Sequence, residues 1–293
     1  MTRSDVAQRS TAKTDLARRF APDFFIIGAM KAGTTTLNHY LDQSHDISMA
    51  RIKETDYFLH RPEDGIGPDW YKSQFDLSFR CLGEASPNYT KHDTFPGVPE
   101  RISAIAPDAR FVFSARDPVA RFASHFRHSW LHGHMRVAPQ DLLASTQGRH
   151  MIECSRYAAQ IEKYLNYFDR SQFLVVDFET ICRDPQTVVN EITDFLGLPP
   201  TLISQTAARN TADHIARIPP FVRRAARHRI VRRIERYFPK STRETLGRAI
   251  SWRQPMSVPE LGQDVLDAAG EMLREDSARF RDIAGLGFAQ WCV

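Results

Sequence analysis

The chain is poor in the features that hold small or unusual proteins together. Only four cysteines occur in 293 residues, Cys81, Cys154, Cys182 and Cys292. They lie far apart, with no CxxC pair and no histidine at finger spacing, which argues against both a zinc ribbon and a disulfide framework. No run approaches the roughly 18 to 20 apolar residues of a membrane span. The N-terminal stretch MTRSDVAQRSTAKTDLARR is charged but has no apolar h-region. The expectation is a cytoplasmic chain in a reducing compartment, without a transmembrane segment. Excess charge is lacking too: 39 Lys and Arg against 35 Asp and Glu leave +4, too little to argue for nucleic acid. With 14 glycines, 17 prolines and 42% hydrophobic residues, the composition is that of a folded globular protein.

Residues 1–20 are polar, mixed in charge and aperiodic, and read as a mobile arm; 21–293 read as a single domain. Asp23-Phe24-Phe25-Ile26-Ile27-Gly28 is an apolar run bounded by Pro22 and glycine, followed by a helical pattern from Thr34 to Leu41. The pattern returns twice. Ala109 to Ala115 leads through Arg116-Asp117-Pro118 into a helix from Val119 to Leu131, and Gln172 to Asp177 precedes an amphipathic stretch from Thr187 to Leu196, closed by Gly197 and Pro199-Pro200. Cys81 to Ala85 is a weaker strand, and Val98 to Ala106, Tyr157 to Phe168 and Pro259 to Ile283 read as helices. Strands alternating with helices imply an α/β fold of three layers, with a central, mostly parallel sheet flanked by helices.

One segment is strongly basic. Between Arg217 and Arg248 the bases face only two acids, Glu235 and Glu244. Val222, Ala226, Ile230, Ile234 and Phe238 recur every fourth residue, which predicts a helix over 221–238 with its arginines on the opposite face. It is either a solvated amphipathic helix packed on the core or an electrostatic capture surface for an anionic acceptor or a membrane.

The chemistry concentrates at Gly28-Ala29-Met30-Lys31-Ala32-Gly33-Thr34-Thr35-Thr36, between a predicted strand and a predicted helix. Backbone N–H groups and the helix dipole make such a loop an anion site. The glycine spacing is that of a Walker A loop, but Thr34 stands where its lysine would be, and the only lysine, Lys31, lies inside the loop. A tight strand-to-helix turn would explain the two glycines alone; it does not explain the crowding of Lys31, Thr34, Thr35 and Thr36. Arg116-Asp117-Pro118 by itself reads as a helix-capping turn with a local ion pair.

Together, Gly28 to Leu37 and Ala115 to Ser124 resemble the two cofactor motifs of the sulfotransferases that use 3′-phosphoadenosine 5′-phosphosulfate (PAPS). The resemblance runs from Asp23 to Trp291 and is strongest to the heparan-sulfate-like branch and its soluble bacterial relatives. Lys53-Glu54-Thr55-Asp56-Tyr57-Phe58, Asp69-Trp70-Tyr71 and Gly83-Glu84-Ala85-Ser86-Pro87-Asn88-Tyr89 support it. It implies a P-loop-like fold, a PAPS co-substrate, no metal, and in-line transfer of a sulfuryl group to a hydroxyl, or secondarily an amine, of a carbohydrate, lipid or secondary metabolite. Lys31 would stabilise the leaving phosphate and Glu54 would be the catalytic base. Lys31, Ala32, Gly33, Thr34, Thr35 and Thr36 would hold the phosphosulfate, and Arg116 and Ser124 the 3′-phosphate. Tyr157 would border the adenosine or else pack in the core, and Arg253 would stand in for the family's Lys-Gly-Arg loop. Ala85 replaces a lysine frequent among the carbohydrate enzymes.

Other readings stay open at this level. Without the resemblance, Glu54 beside Lys53 is an ordinary surface pair. His125, His128 and His132 at helical spacing, with His134 after them, suggest either a metal site or a helix bordering the acceptor cleft. A nucleotide or small-molecule kinase on the same scaffold is the second enzyme reading, and a noncatalytic anion- or glycan-binding module the third.

Overall fold

In a computed structural model, residues 20–59, 67–135, 137–204 and 258–293 are described. Their strands, β1 (Phe24–Gly28), β2 (Ile47–Met49), β3 (Cys81–Ala85), β4 (Arg110–Ala115) and β5 (Phe173–Asp177), form one sheet in the order β2-β3-β1-β4-β5. Every pairing is parallel, with Phe24 opposite Gly83 on one side and Arg110 on the other. β1 is buried along its whole length, as the uninterrupted apolar run FFIIG requires of a central strand covered on both faces.

The helices follow the strands. α1 (Thr34–Leu41) follows β1, α2 (Pro68–Lys72) precedes β3, and α3 (Val98–Ile105) precedes β4. α4 (Pro118–Leu131), α5 (Thr146–Glu153) and α6 (Tyr157–Leu165) lie between β4 and β5. α7 (Phe178–Arg183), α8 (Pro185–Leu196) and α9 (Gln263–Ala284) come after the last strand. Phe25, Phe111, Phe113, Tyr157 and Phe280 fill one side of the sheet, and Phe24, Leu37, Val112, Val189 and Ile192 the other. No helix among the described residues is long and apolar enough to cross a membrane.

Several predicted elements are found within a residue or two, α1, β3 and α4 among them. Others differ. Ile47–Met49 is an edge strand too short to show a periodicity, Thr146–Glu153 is a helix of low overall hydrophobicity, and α6 ends at Leu165 rather than Phe168. Phe20, counted with the arm, packs its ring on Phe75 at 5.8 Å and on Tyr71 at 6.2 Å. The rest of the arm, the basic helix 221–238 and Arg253 lie outside the described residues.

Helix caps lock the layers together. Asp117 accepts from Ala120 N at 2.7 Å at the start of α4, and its other oxygen accepts from Cys292 N at 2.7 Å. Asp177 caps α7 through Thr180 N. α6 is capped from far along the chain: Asp276 of α9 accepts from Ala158 N at 3.0 Å and Ala159 N at 2.9 Å.

Candidate active site

The loop after β1 closes tightly because Gly28 leaves room for a ring: a Cβ there would lie 2.6 Å from Phe113 Cε2. β4 then clamps the loop from beside. Ala29 N–H donates to Ser114 O at 2.7 Å, and the Ser114 hydroxyl donates to the Ala32 carbonyl. Lys31 and Gly33 both take left-handed backbone, at φ 72° and 87°. Gly33 does so freely, whereas at Lys31 the conformation is a local cost that the surrounding clamps sustain. As the N-cap of α1, Gly33 brings no side-chain acceptor, and the first turn of the helix carries no acid. The leading N–H groups of α1, with no side-chain cap among the described residues, suit an external anion.

Cations gather around this loop. Lys31 is half-buried, and Arg116, at the end of β4, donates through Nη1 to the Lys31 carbonyl at 3.4 Å. The Arg116 guanidinium lies 4.8 Å above the Phe178 ring, and its buried Nε has no partner. Arg121 is fully buried and reaches Met30 O at 3.4 Å, Ser155 Oγ at 2.7 Å and Met151 O at 2.7 Å. Among the described residues no carboxylate pairs with any of the three. Burial first, and then the charges of Arg116 and Arg121, push the Lys31 ammonium below its usual range. Three cations without a counter-charge among the described residues, one with an orphaned N–H, fit a ligand carrying more than one phosphate-like group.

α4 turns one face to the loop. Arg121 and His128, seven residues apart, both touch it, His128 Nδ1 lying 3.4 Å from Lys31 Nζ. Ser124, half-buried, falls between them on that face. Tyr157 does not line an opening: it is fully buried against Phe113, Phe280 and Trp291, and its hydroxyl donates to the Arg116 carbonyl at 3.0 Å. Of its two expected roles, core packing is the one found, and it acts behind Arg116. Arg116 and Asp117 form no ion pair; Asp117 is spent on the two backbone caps.

Glu54 is exposed and pairs with Lys53 at 2.6 Å, sharing no hydrogen bond with Lys31. Its link to the cationic cleft is Lys91, a residue to which the sequence pattern drew no attention. Lys91 donates to Asn88 Oδ1 at 2.7 Å, and the Asn88 amide donates to Asp56 at 3.0 Å. Burial lowers the Lys91 ammonium, Arg121 adds to the effect, and Glu54 and Asp56 oppose it. The same lysine helps to depress His125, His128 and His150, so all these groups share one electrostatic neighbourhood. Burial is the main cause for each imidazole, and His128 is lowered to about 4. No set of three or more His, Cys, Asp or Glu among the described residues has the geometry of a metal site.

The fold and this loop define an α/β protein built to receive an anion at the carboxyl edge of a parallel sheet. Residues 21–218 match the family described as the sulfotransferase domain, and the chain belongs to that family. The chain is 30% identical over 208 residues to the mouse bifunctional heparan sulfate N-deacetylase/N-sulfotransferase 4, covering 61% of this chain and 22% of that protein. It is 29% identical over 199 residues to the human heparan sulfate glucosamine 3-O-sulfotransferase 6, covering 62% of this chain and 54% of the relative. The chain thus spans about a fifth and about half of these relatives. Among solved structures, a sulfotransferase from Alicyclobacillus acidocaldarius has the same fold, with a TM-score of 0.67 over 93% of this chain and 99% of the other at 24% identity. A kinase is not favoured, and Asp117, the carboxylate that follows β4, is occupied by two backbone caps.

Proposed function

We propose that the protein transfers a sulfuryl group from PAPS to a hydroxyl, or secondarily an amine, of an acceptor. PAPS supplies the sulfuryl group together with a leaving group that carries phosphates at both ends of a ribose. The observation that carries the reading is the cluster of Lys31, Arg116 and Arg121, without a carboxylate among the described residues, set beside a helix start with no side-chain cap. The N–H groups and hydroxyls of Gly33 to Thr36 hold the 5′ end. Arg116 and Ser124 hold the 3′-phosphate, the group that distinguishes this nucleotide from ATP. Lys31 places positive charge where the leaving oxygen gains negative charge, and Glu54 accepts the acceptor's proton on its carboxylate. A carbohydrate acceptor comes first, because the relatives named above are named for heparan sulfate.

The test is a thermal-shift titration with adenosine 3′,5′-bisphosphate beside AMP and ADP with magnesium, since a ligand that binds only the folded state raises Tm. Selective stabilisation by the 3′-phosphorylated nucleotide, followed by sulfuryl transfer from PAPS, is the expected result. Stabilisation by ADP and magnesium alone would return the kinase reading.

A further inference from the structure

Beneath the segment that carries Glu54 lies a second carboxylate. Glu84, in β3, is fully buried, and no cation pairs with it among the described residues. Its partners are four hydroxyls. Thr55 Oγ1 at 2.6 Å, Ser86 Oγ at 2.6 Å and Tyr89 OH at 2.7 Å donate to Oε1, and Tyr71 OH donates to Oε2. Burial raises the Glu84 carboxyl, while the four hydroxyl bonds draw it back down.

Three of these hydroxyls have a second contact. Ser86 Oγ accepts from Asp56 N at 3.4 Å, Thr55 Oγ1 from Tyr57 N at 3.2 Å, and Tyr89 OH from Phe58 N at 3.2 Å. A hydroxyl has one proton to give, so a hydroxyl committed to Glu84 turns its lone pairs to the amide. Three successive amides, starting two residues after Glu54, therefore end on one carboxylate oxygen through one hydroxyl each. Tyr71 holds no amide; its ring stacks on Tyr57 at 4.1 Å.

We infer that Glu84 is a positioning residue for the acceptor-side base, orienting the three hydroxyls that fix the backbone of 56–58 and with it the place from which Glu54 reaches the acceptor. The inference rests on the role proposed for Glu54. A carboxylate suits this task because both oxygens only accept: Oε1 takes the three relay hydroxyls and Oε2 the Tyr71 hydroxyl, whereas a glutamine keeps one such oxygen and obliges Tyr71 to turn its lone pairs to the N–H₂ group. Displacing the segment by a fraction of an ångström affects the chemical step and leaves the nucleotide loop, clamped by Ser114 of β4, in place.

The experiment compares Glu84→Gln, Tyr89→Phe, Ser86→Ala, Tyr71→Phe and Glu54→Gln for kcat per folded molecule, acceptor KM, and Kd for adenosine 3′,5′-bisphosphate. Tyr89→Phe and Ser86→Ala, which each cut one link, are expected to lose kcat by about 10- to 100-fold, with nucleotide Kd unchanged, and Glu84→Gln to lose less, because its carbonyl can stand in for Oε1. Tyr71→Phe, which cuts a bond to Glu84 that supports no amide, is expected to lower Tm while keeping kcat near wild type. Should Glu84→Gln fail to fold, Tyr89→Phe and Ser86→Ala each remove one link and carry the test. Wild-type kcat in these relay variants beside an inactive Glu54→Gln overturns the positioning role alone. Normal turnover by Glu54→Gln overturns the assignment of the base itself, and equal kcat losses in Tyr71→Phe and Tyr89→Phe reduce Glu84 to a packing role.

Discussion

Lys31 Nζ stands 3.4 Å from His128 Nδ1, and because an ammonium only donates, the imidazole accepts there and carries its proton on Nε2. The neutral ring is what the site can tolerate: burial, and then the charge of Lys31, lower His128 from 6.5 to about 4. The sign of the linkage follows. The unfolded chain binds a proton near pH 6.5 and the folded one does not until about 4, so the contribution is complete above 6.5 and is lost as pH falls toward 4. His125 and His150, lowered mainly by burial, act in the same direction. Tm is expected to fall across that window, and to fall less steeply in His128→Gln; scanning calorimetry between pH 7 and pH 4, on the order of the reference histidine range, checks it.

Lys31→Met removes the cation from the loop. Losing one donor to a developing negative charge typically costs about 10² to 10³ in kcat, and a loss of that size is expected in single-turnover assays. The same variant relieves His128 of a neighbouring charge, so the imidazole should titrate at higher pH, which NMR of the ring protons reads directly.

Arg116→Ala tests discrimination between nucleotides. The guanidinium is held by Phe178 and the Lys31 carbonyl, with one N–H still unpaired, so its removal leaves the loop clamps of Ser114 intact. A charge-assisted bond contributes roughly 1.5 to 3 kcal/mol. Affinity for adenosine 3′,5′-bisphosphate should drop about 10- to 100-fold, with little change for AMP, as measured by titration calorimetry.

Glu54→Gln keeps the shape of the side chain, leaves the nucleotide loop's own residues untouched, and removes the base together with one negative charge. Turnover should fall by about 10² to 10⁴, while the thermal shift with adenosine 3′,5′-bisphosphate persists. Among the described residues Glu54 pairs with Lys53 alone, at the surface, so the substitution should barely move Tm without ligand.

Asp276→Ala removes the acceptor for the Ala158 and Ala159 amides at the buried start of α6. The expected cost is about 1 to 3 kcal/mol, that of a lost cap with buried donors left unpaired. Asp276→Asn, which keeps one acceptor oxygen, should cost less. Denaturant unfolding of the two variants gives the order.

Much of this was legible along the chain because it rests on local rules. FFIIG and RFVFSA are apolar runs with no polar alternation, and a strand so composed must be covered on both faces, which makes it central and parallel. Gly28, Gly33 and the threonines after them sit in one stretch, so the loop and its anion chemistry can be read without knowing any contact. The edge strand Ile47–Met49 was not legible, because three residues carry no period and the pairing with β3 that defines it is distant in sequence. Tyr157 was ambiguous for a related reason: a tyrosine after a helix start suits a ligand or a core equally, and Phe280, from more than a hundred residues on, decides it.

The sequence by itself determined the layer architecture, the cradle after β1 and the residue types that meet an anion, since composition and short-range spacing set strand burial, turn geometry and helix starts. Tertiary structure alone decided how charges and hydroxyls converge. It set His128 against Lys31, buried Arg121 on Ser155 and Met151, gathered four hydroxyls on Glu84, and capped α6 with Asp276. Such assignments depend on distances between residues far apart in the chain, and a side chain's protonation, partner and role follow from burial and neighbours that no local pattern encodes.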